Sequence, residues 1–200
     1  MPVRRSPGNR LTRYAGGVTS GDDRLLEVVI DFLNTMDVEE GTDELADQAA
    51  FRGWLRAHGL PERADLDAAR RLRTLLRSAV GDRSAAAGPA TGEPAGLRDV
   101  QAGIPVTVTL GPDGRPTLSA ADPLGRIAAA AVRLADDGRW DRLKICTADD
   151  CRWAFYDRSK NRSRHWCSMG VCGNRAKSRS FRERQRAAGS GTGSGTAPAG

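Results

Sequence analysis

The four cysteines of this 200-residue chain lie within one short window of its last third. They form two pairs, Cys146 with Cys151 and Cys167 with Cys172, with four residues inside each pair and fifteen between the pairs. Two close thiolate pairs joined by a loop are typical ligands of one tetrahedral Zn²⁺ ion. The spacing therefore predicts a zinc site, with two disulfides or plain buried thiols as the alternatives.

A site of four thiolates also predicts what kind of zinc it would hold. Catalytic zinc keeps one coordination position open, whereas four thiolates fill all four, so we expect a structural ion. His165 lies two residues before Cys167 and is expected at the surface or on a phosphate rather than on the metal. The sequence also lacks a Gly-rich phosphate loop and a nucleophile motif, so we expect no enzymatic activity. So small a module should need zinc in order to fold.

Basic residues surround the cysteines and predict a polyanion-binding surface. Residues 140–187 contain thirteen Lys and Arg against five Asp and Glu, a net charge of +8, while the rest of the chain carries −2. We expect phosphate or groove contacts from the loop between the pairs and from a helix after the last cysteine, in which four arginines would share one face. The predicted nucleic-acid contacts are Arg158, Lys160, Arg162, Arg164, Arg175, Lys177, Arg179, Arg182 and Arg186.

The aromatic residues of the module are expected to divide between a small core and the surface. Three are assigned to the core, because the module has few other apolar residues: Trp153, Phe155 and Trp166. Tyr156 alternates with them and is the aromatic that we expect to be most exposed. Asp157 should pair with a nearby arginine, and Ala176 and Phe181 should pack the new helix against the metal site.

The residues before the module predict a mainly helical domain over 21–138. "DDRLLEVVIDFLNTM" is too apolar for a surface helix and predicts a buried one, with a buried strand over Val28–Phe32 as the alternative. A second helix is expected to follow Thr42 as its N-cap, to bury Phe51, Trp54 and Leu55 together with His58, and to stop at Gly59. Within the first of these segments, Asp31 and Asn34 would line a ligand pocket or satisfy backbone groups.

Three further elements complete the predicted domain. A third helix over 62–80 is expected to close at Gly81, and a β-hairpin near 104–119 turns at "GPDG". A fourth helix takes Asp122 as N-cap and Pro123 as first residue. The residues expected to be buried on the third and fourth helices are Leu66, Ala69, Leu72, Leu76 and Val80, then Leu124, Ile127, Ala128, Ala131, Leu134 and Ala135. Residues 1–20 are expected to be a flexible leader, 84–96 a linker and 188–200 a disordered tail.

Motifs in the module resemble those of the bacterial CGNR zinc-finger family. "F-x-D-x-S-x-N-x-S-R", "W-C-S-M" and "C-G-N-R-x-K" occur in order, and Cys172-Gly173-Asn174-Arg175 is the motif that names the family. "VIDFLNT" and "WLRAHGL" resemble the ABATE domain that usually precedes this finger. The resemblance implies four zinc ligands, Cys146, Cys151, Cys167 and Cys172, and a stress-related DNA-binding transcription regulator. Where the family commonly has two arginines, this chain has Arg164-His165, which would make one phosphate contact pH-dependent.

The sequence therefore predicts an α+β protein, with a mainly helical ABATE-like domain at 21–138 and a CGNR-type finger at 140–187, of a treble-clef-like form. Its expected function is zinc-dependent DNA binding, while the N-terminal domain senses a small-molecule effector or forms a homodimer. A protein-interaction module, an RNA-binding module and a thiol redox sensor are the alternatives. No apolar run approaches the roughly 20 residues of a membrane helix, and no secretory signal is evident, so a cytoplasmic location is expected.

Overall fold

The computed structural model describes residues 21–84 and 104–189, so most of the predicted leader, linker and tail lie outside the described residues. Within these residues, five α-helices run in chain order: α1 Gly21–Leu33, α2 Gln48–Ala57, α3 Leu66–Ser84, α4 Pro123–Asp136 and α5 Asn174–Gly189. The strands form three antiparallel pairs: β1 Met36–Asp37 with β2 Thr42–Asp43, β3 Thr107–Leu110 with β4 Pro116–Ser119, and β5 Leu143–Ile145 with β6 Ala154–Tyr156. Within these ranges, every helix is too short or too polar to cross a membrane.

Helix α1 is the buried helix that its apolar content predicts, so the strand alternative is wrong. Its side chains at Val29, Phe32 and Leu33 have no exposed surface, and Leu26 is only 2% exposed. These apolar residues lie one, three or four positions apart and so cover more than one face of α1. Other elements must therefore pack around this helix.

Helix α2 begins later than predicted. Thr42 is not its N-cap but lies in strand β2, and the cap is Asp47, whose carboxylate accepts hydrogen bonds from the backbone N–H groups of Ala49 and Ala50. Asp43 also lies in β2, where its two carboxylate oxygens accept from the guanidinium of Arg73 at 2.5 and 2.9 Å and Oδ1 accepts from the N–H of Leu45 at 2.7 Å. The predicted apolar face is confirmed and ends as expected at Gly59, which adopts a left-handed φ of +64°.

Helix α3 is shifted towards the C-terminus from its predicted bounds. It begins at Leu66 rather than near 62 and continues through Gly81 to Ser84. Of its predicted apolar face, Ala69, Leu72 and Val80 are buried, and the other two leucines are half-buried. One glycine does not end a helix whose next turn can still form its hydrogen bonds.

The hairpin and α4 follow the sequence pattern closely. β3 and β4 pair across the predicted turn, and both strands stay largely exposed, Leu110 by 73% of its surface. Asp122 caps α4 by accepting from the N–H groups of Leu124 and Gly125. The buried face of α4 turns slightly from the predicted one, because Ala135 is exposed, Ala128 is half-buried, and two other alanines are buried: Ala129 and Ala130.

The main core crosses the predicted boundary near residue 139. Strands β5 and β6, which lead into and out of the first cysteine pair, pack against α1, α3 and α4. The buried residues of this shared core are Leu26, Val29, Ile30, Leu33, Val80, Ala130, Leu134, Leu143, Ile145 and Ala154. A second cluster joins α1, α2, α3 and α4 around Phe32, Phe51 and Leu55. The helical part and the finger are therefore joined by apolar packing.

Two polar side chains join the helical part to strand β6 and the turn before it. Asn34, after the end of α1, donates from Nδ2 to the carbonyl of Ala154 at 2.9 Å and accepts from its N–H at 2.7 Å, which is how a neighbouring strand would bond. Arg77 of α3 donates to the carbonyls of Leu33 and Arg152 at 2.6 and 2.7 Å. These bonds satisfy an edge of β6 and the C-terminal end of α1.

Replacing Asn34 by Ala should lower the free energy of unfolding by about 2–4 kcal/mol, because the buried N–H and C=O of Ala154 lose their partners together. Urea denaturation of the zinc-loaded chain measures this loss. The control is Asn161→Ala, an exposed loop residue, which should stay within about 0.5 kcal/mol of wild type. A loss as small as that of the control would contradict the bridging role of Asn34.

Candidate metal centre and the surrounding basic surface

Each cysteine pair is held by a different kind of backbone turn. Cys146 follows β5 and donates its N–H to the carbonyl of Trp153 at 2.8 Å, closing the turn that contains Cys151. The turn is completed by Arg152, whose φ is +53°. Cys172 lies in a π-helical turn, Met169–Gly173, that leads directly into α5. One pair thus belongs to a hairpin and the other to a helix start, as a treble-clef-like module requires.

The four sulfur atoms have the spacing of a tetrahedral zinc site. All four lie within 4.8 Å of one another, with Cys151 Sγ 3.6 Å from Cys167 Sγ, which is 3.7 Å from Cys172 Sγ. Tetrahedral geometry with a Zn–S bond of about 2.3 Å places the sulfurs about 3.8 Å apart. The four sulfur donors therefore fit zinc. Four thiolates would fill all four coordination positions, so the ion would have no open position for a water or a substrate.

Electrostatics gives a second reason why this group of thiols suits a cation. Hydrogen bonding from Cys151 lowers the pKa of Cys146 to about 2, so one thiolate is favoured. The hydrogen bond with that thiolate in turn raises the pKa of Cys151 to about 12, and burial raises the pKa of Cys172. Without a cation, a second thiolate is thus disfavoured beside the first, and a divalent cation would offset the repulsion between them.

A small apolar core surrounds the sulfurs. Phe155 is 3% exposed and packs with Trp153 and Trp166 against the cysteines, as predicted. Tyr156 is not the exposed aromatic of the module: it is half-buried against the shared core, with the Arg139 guanidinium 5.9 Å from its ring centre. The prediction failed because strand alternation turns Tyr156 away from the metal site but towards α1 rather than towards water.

Asp157 and Lys144 hold the loop between the cysteine pairs. Asp157 is fully buried and accepts hydrogen bonds from Lys144 Nζ, Ser159 N and Arg164 N, each at 2.9 Å. Burial by itself would raise the pKa of Asp157, but these bonds outweigh it and lower the pKa below its ordinary range. Lys144 also donates to the carbonyls of Arg162 and Arg164. The expected arginine partner of Asp157 is therefore a lysine, with Arg164 contributing its backbone.

The loop exposes most of its predicted nucleic-acid contacts. Arg158, Lys160 and Arg162 point to the surface, and the backbone of Arg162 is left-handed with a φ of +50°. Arg164 is exposed as well, but its guanidinium donates to the carbonyl of Cys167 at 2.7 Å and lies 5.3 Å from the Phe155 ring centre. Arg164 thus has a structural contact at the metal site.

The arginine face of α5 is partly engaged by acids. Arg175 contacts Glu39 at 2.5 Å and Asp150 at 3.3 Å, and Arg179 lies 3.8 Å from the same aspartate. The other predicted contacts on the helix are exposed: Lys177, Arg182 and Arg186. Phe181 does not pack against the metal site but is 56% exposed, and Ala176 is half-buried. The apolar contact that was expected to position α5 is replaced by the ion pairs of Arg175.

The residues suggested for a ligand pocket are occupied by protein partners. Asn34 bonds Ala154, and Asp31 Oδ2 lies 3.2 Å from Nε2 of His58. His58 Nδ1 lies 2.8 Å from the carbonyl of Trp54, on whose ring the imidazole stacks. Both groups thus agree with the architectural alternative. His165 is exposed and stands outside the cluster of four sulfurs.

Comparison with known families agrees with this geometry. A model described as "CGNR zinc finger" matches residues 142–185, and the ABATE model, described as "Putative stress-induced transcription regulator", matches residues 26–138, more than half of the chain. The chain belongs to the ABATE family. No curated protein matches it. The order of the two matches confirms the predicted arrangement of an ABATE domain followed by a CGNR finger.

Sequence reasoning missed the cations that hold neighbouring segments of the chain together. Arg70 and Arg73 of α3 bind within the ABATE domain, to the carbonyls of Leu45 and Ala46 and to the carboxylate of Asp43. Arg77 joins the end of α1 to the finger through the carbonyls of Leu33 and Arg152. Their spacing of three and four residues places them on one face of α3, which was a usable signal. Lys144 had none, since one lysine between Leu143 and Ile145 looks like the solvent side of a strand.

The purified protein should contain one zinc ion per chain, as measured by plasma mass spectrometry, and Cys172→Ser should lose most of it. Chelation should lower the melting temperature of the whole chain in one transition, because β5 and β6 belong to the shared core. Ser168→Ala, beside Cys167, is the control and should keep its zinc. Full zinc content in Cys172→Ser, or unchanged melting after chelation, would contradict the site.

The Asp31–His58 pair should make stability depend on pH. Burial by itself would lower the pKa of His58, but the hydrogen bonds with Asp31 and with the Trp54 carbonyl, together with the nearby carboxylate charges, outweigh burial and raise the pKa above 6.5. A raised pKa in the folded state stabilises the fold fully below the ordinary value, and this contribution is lost as pH rises through the folded pKa.

The free energy of unfolding of wild type minus that of Asp31→Asn should therefore be largest just below pH 6.5 and shrink as the pH rises above it, through the raised pKa of His58. Urea denaturation at matched pH measures the difference, and zinc contributes equally to both proteins. A difference that is constant with pH would show that the pair does not titrate in this way.

Proposed function

We propose that this ABATE-family protein is a DNA-binding transcription regulator whose CGNR finger makes the DNA contacts once zinc has folded it. The observation that carries the proposal is the concentration of exposed cations on the finger, on the loop that contains Arg158 and on α5. Such a surface attracts a polyanion, and the family description names a transcription regulator. The role is binding rather than catalysis, because four thiolates would leave zinc no open position.

The backbone hydrogen bonds of the loop between the cysteine pairs favour contacts at defined positions over a purely diffuse attraction by charge. Lys144 and Asp157 bond the loop backbone at several points, so the side chains of Arg158, Lys160 and Arg162 start from defined positions. Fixed starting positions reduce the conformational entropy lost on binding. The remaining parts of the proposal are a cytoplasmic location and, for the ABATE domain, effector sensing or homodimer formation.

Replacing Arg158, Lys160 and Arg162 together by Ala should weaken binding to duplex DNA and reduce the slope of log affinity against log salt by about three, because each contact releases about one counterion. Fluorescence anisotropy at several salt concentrations gives both quantities. The control removes three exposed arginines of the ABATE domain, Arg52, Arg63 and Arg71, which is the same change in charge. Zinc content should be unchanged in both variants.

Equal effects of the two triple variants would mean that net charge alone, and not the finger, determines binding. Selection of duplexes from a random library then tests the regulator role itself, since a regulator must prefer some sequences over others. Equal binding to every duplex and to RNA would favour the RNA-binding alternative. Loss of zinc and of DNA binding on treatment with a mild peroxide would favour the redox sensor.

A further inference from the structure

Helix α5 has two faces that differ in their surroundings. Its arginine face, which contains Arg175 and Arg179, points at the acidic groups of Glu39 and Asp150. Successive residues of an α-helix are rotated by about 100°, so Phe181 lies about 160° around the axis from Arg179. Phe181 therefore points away from the body of the protein, in agreement with its 56% exposure.

The residues beside Phe181 are the types that contact bases. Lys177, Ser178, Arg184 and Gln185 lie within about 60° of it on the helix surface, and all are exposed. In the major groove, Arg and Lys bind guanine, Gln binds adenine, and an apolar side chain contacts the methyl group of thymine. Exposure of the Phe181 ring to water is unfavourable, whereas in the major groove the ring would pack against that methyl group.

The acids of this region lie on the other side of the helix. Glu183 is the single acidic residue within Asn174–Gly189, and it is about 160° from Phe181. Asp150 and Glu39 also face the arginine side. Phosphates would thus meet acids if the arginine face entered the groove, but would meet only cations and polar groups beside Phe181.

We propose that the face of α5 centred on Phe181, with Lys177, Arg184 and Gln185, enters the major groove and determines which duplex sequence is bound. This inference rests on the proposed DNA-binding function and assigns its sequence-reading side chains. A helix of 16 residues is about 24 Å long and fits a groove about 12 Å wide. Arg182, about 100° from Phe181, is then placed at the wall of the groove, where phosphates lie.

Two double variants separate the faces. Lys177→Ala with Arg184→Ala alters the Phe181 face, and Arg182→Ala with Arg186→Ala alters the arginine face, while each removes two positive charges from the same exposed helix. The zinc-loaded full chain is tested by anisotropy against the duplex selected from a random library and against a scrambled duplex. Both variants should reduce the salt slope by about two. Only the first should reduce the affinity ratio of selected over scrambled duplex, by about tenfold or more.

Phe181→Ala gives the sharpest test, because it changes no charge. Its affinity for the scrambled duplex should stay within about twofold of wild type, while the ratio of selected over scrambled falls about fivefold or more. Val132→Ala, which shortens an exposed valine on α4, is the matched control and should change neither quantity. Circular dichroism and zinc content show that each variant is folded.

The outcomes distinguish this inference from the proposed function. If wild type selects a duplex but Phe181→Ala and the Lys177/Arg184 pair leave the ratio unchanged, the inference is overturned and the regulator role stands. A ratio that falls only in the Arg182/Arg186 pair assigns sequence reading to the arginine face and overturns it as well. If wild type selects no duplex, or binds RNA alone, the proposed function fails and the inference fails with it.

Discussion

Repulsion among like charges is the constraint on which the finger depends. Four sulfur atoms lie within 4.8 Å of one another, and ionisation of one thiol raises the pKa of its neighbours. A divalent cation offsets that repulsion, and it then joins two chain segments, the turn after β5 and the turn before α5, which the ion pair of Asp150 with Arg175 also links. The surrounding core is small, with Phe155 as its one deeply buried aromatic ring, so the metal would supply much of the module's stability.

The metal site is also tied to the ABATE domain through the strands that carry its first ligands. Leu143, Ile145 and Ala154 belong to the shared core, and Asn34 bonds the edge of β6 as a strand would. Loss of zinc would therefore destabilise the packing of α1 and α3 as well as the finger. Conversely, a change in the ABATE domain could alter the turn that contains Cys151 through the bond between Arg77 and the carbonyl of Arg152.

The basic residues divide by what lies opposite them. Arg175 is used by the protein itself, as an ion-pair partner of Glu39, and Arg164 bonds a carbonyl beside a metal ligand. Arg158 and Lys160 extend from a loop whose backbone is fixed by the buried Asp157. The arginines of the finger thus have different roles. Arg175 and Arg179 pair with acidic residues and hold α5 against the protein, and the remaining cations of α5 are exposed.

The sequence by itself determined the features that depend on local pattern or on covalent spacing. Four cysteines in two close pairs predicted the metal site, apolar content predicted the buried α1, and Asp122 followed by Pro123 predicted the start of α4. The tertiary structure decided the features that depend on a distant partner. Thr42 pairs with Asp37 in the β1–β2 hairpin instead of capping α2, and Arg73 binds the next residue, Asp43, across thirty residues. Tyr156 is half-buried because the core shared with α1 lies against β6. The ion pairs of Arg175 with Glu39 and Asp150 were likewise not evident from the spacing along α5, because an ion pair depends on proximity in space and not in sequence.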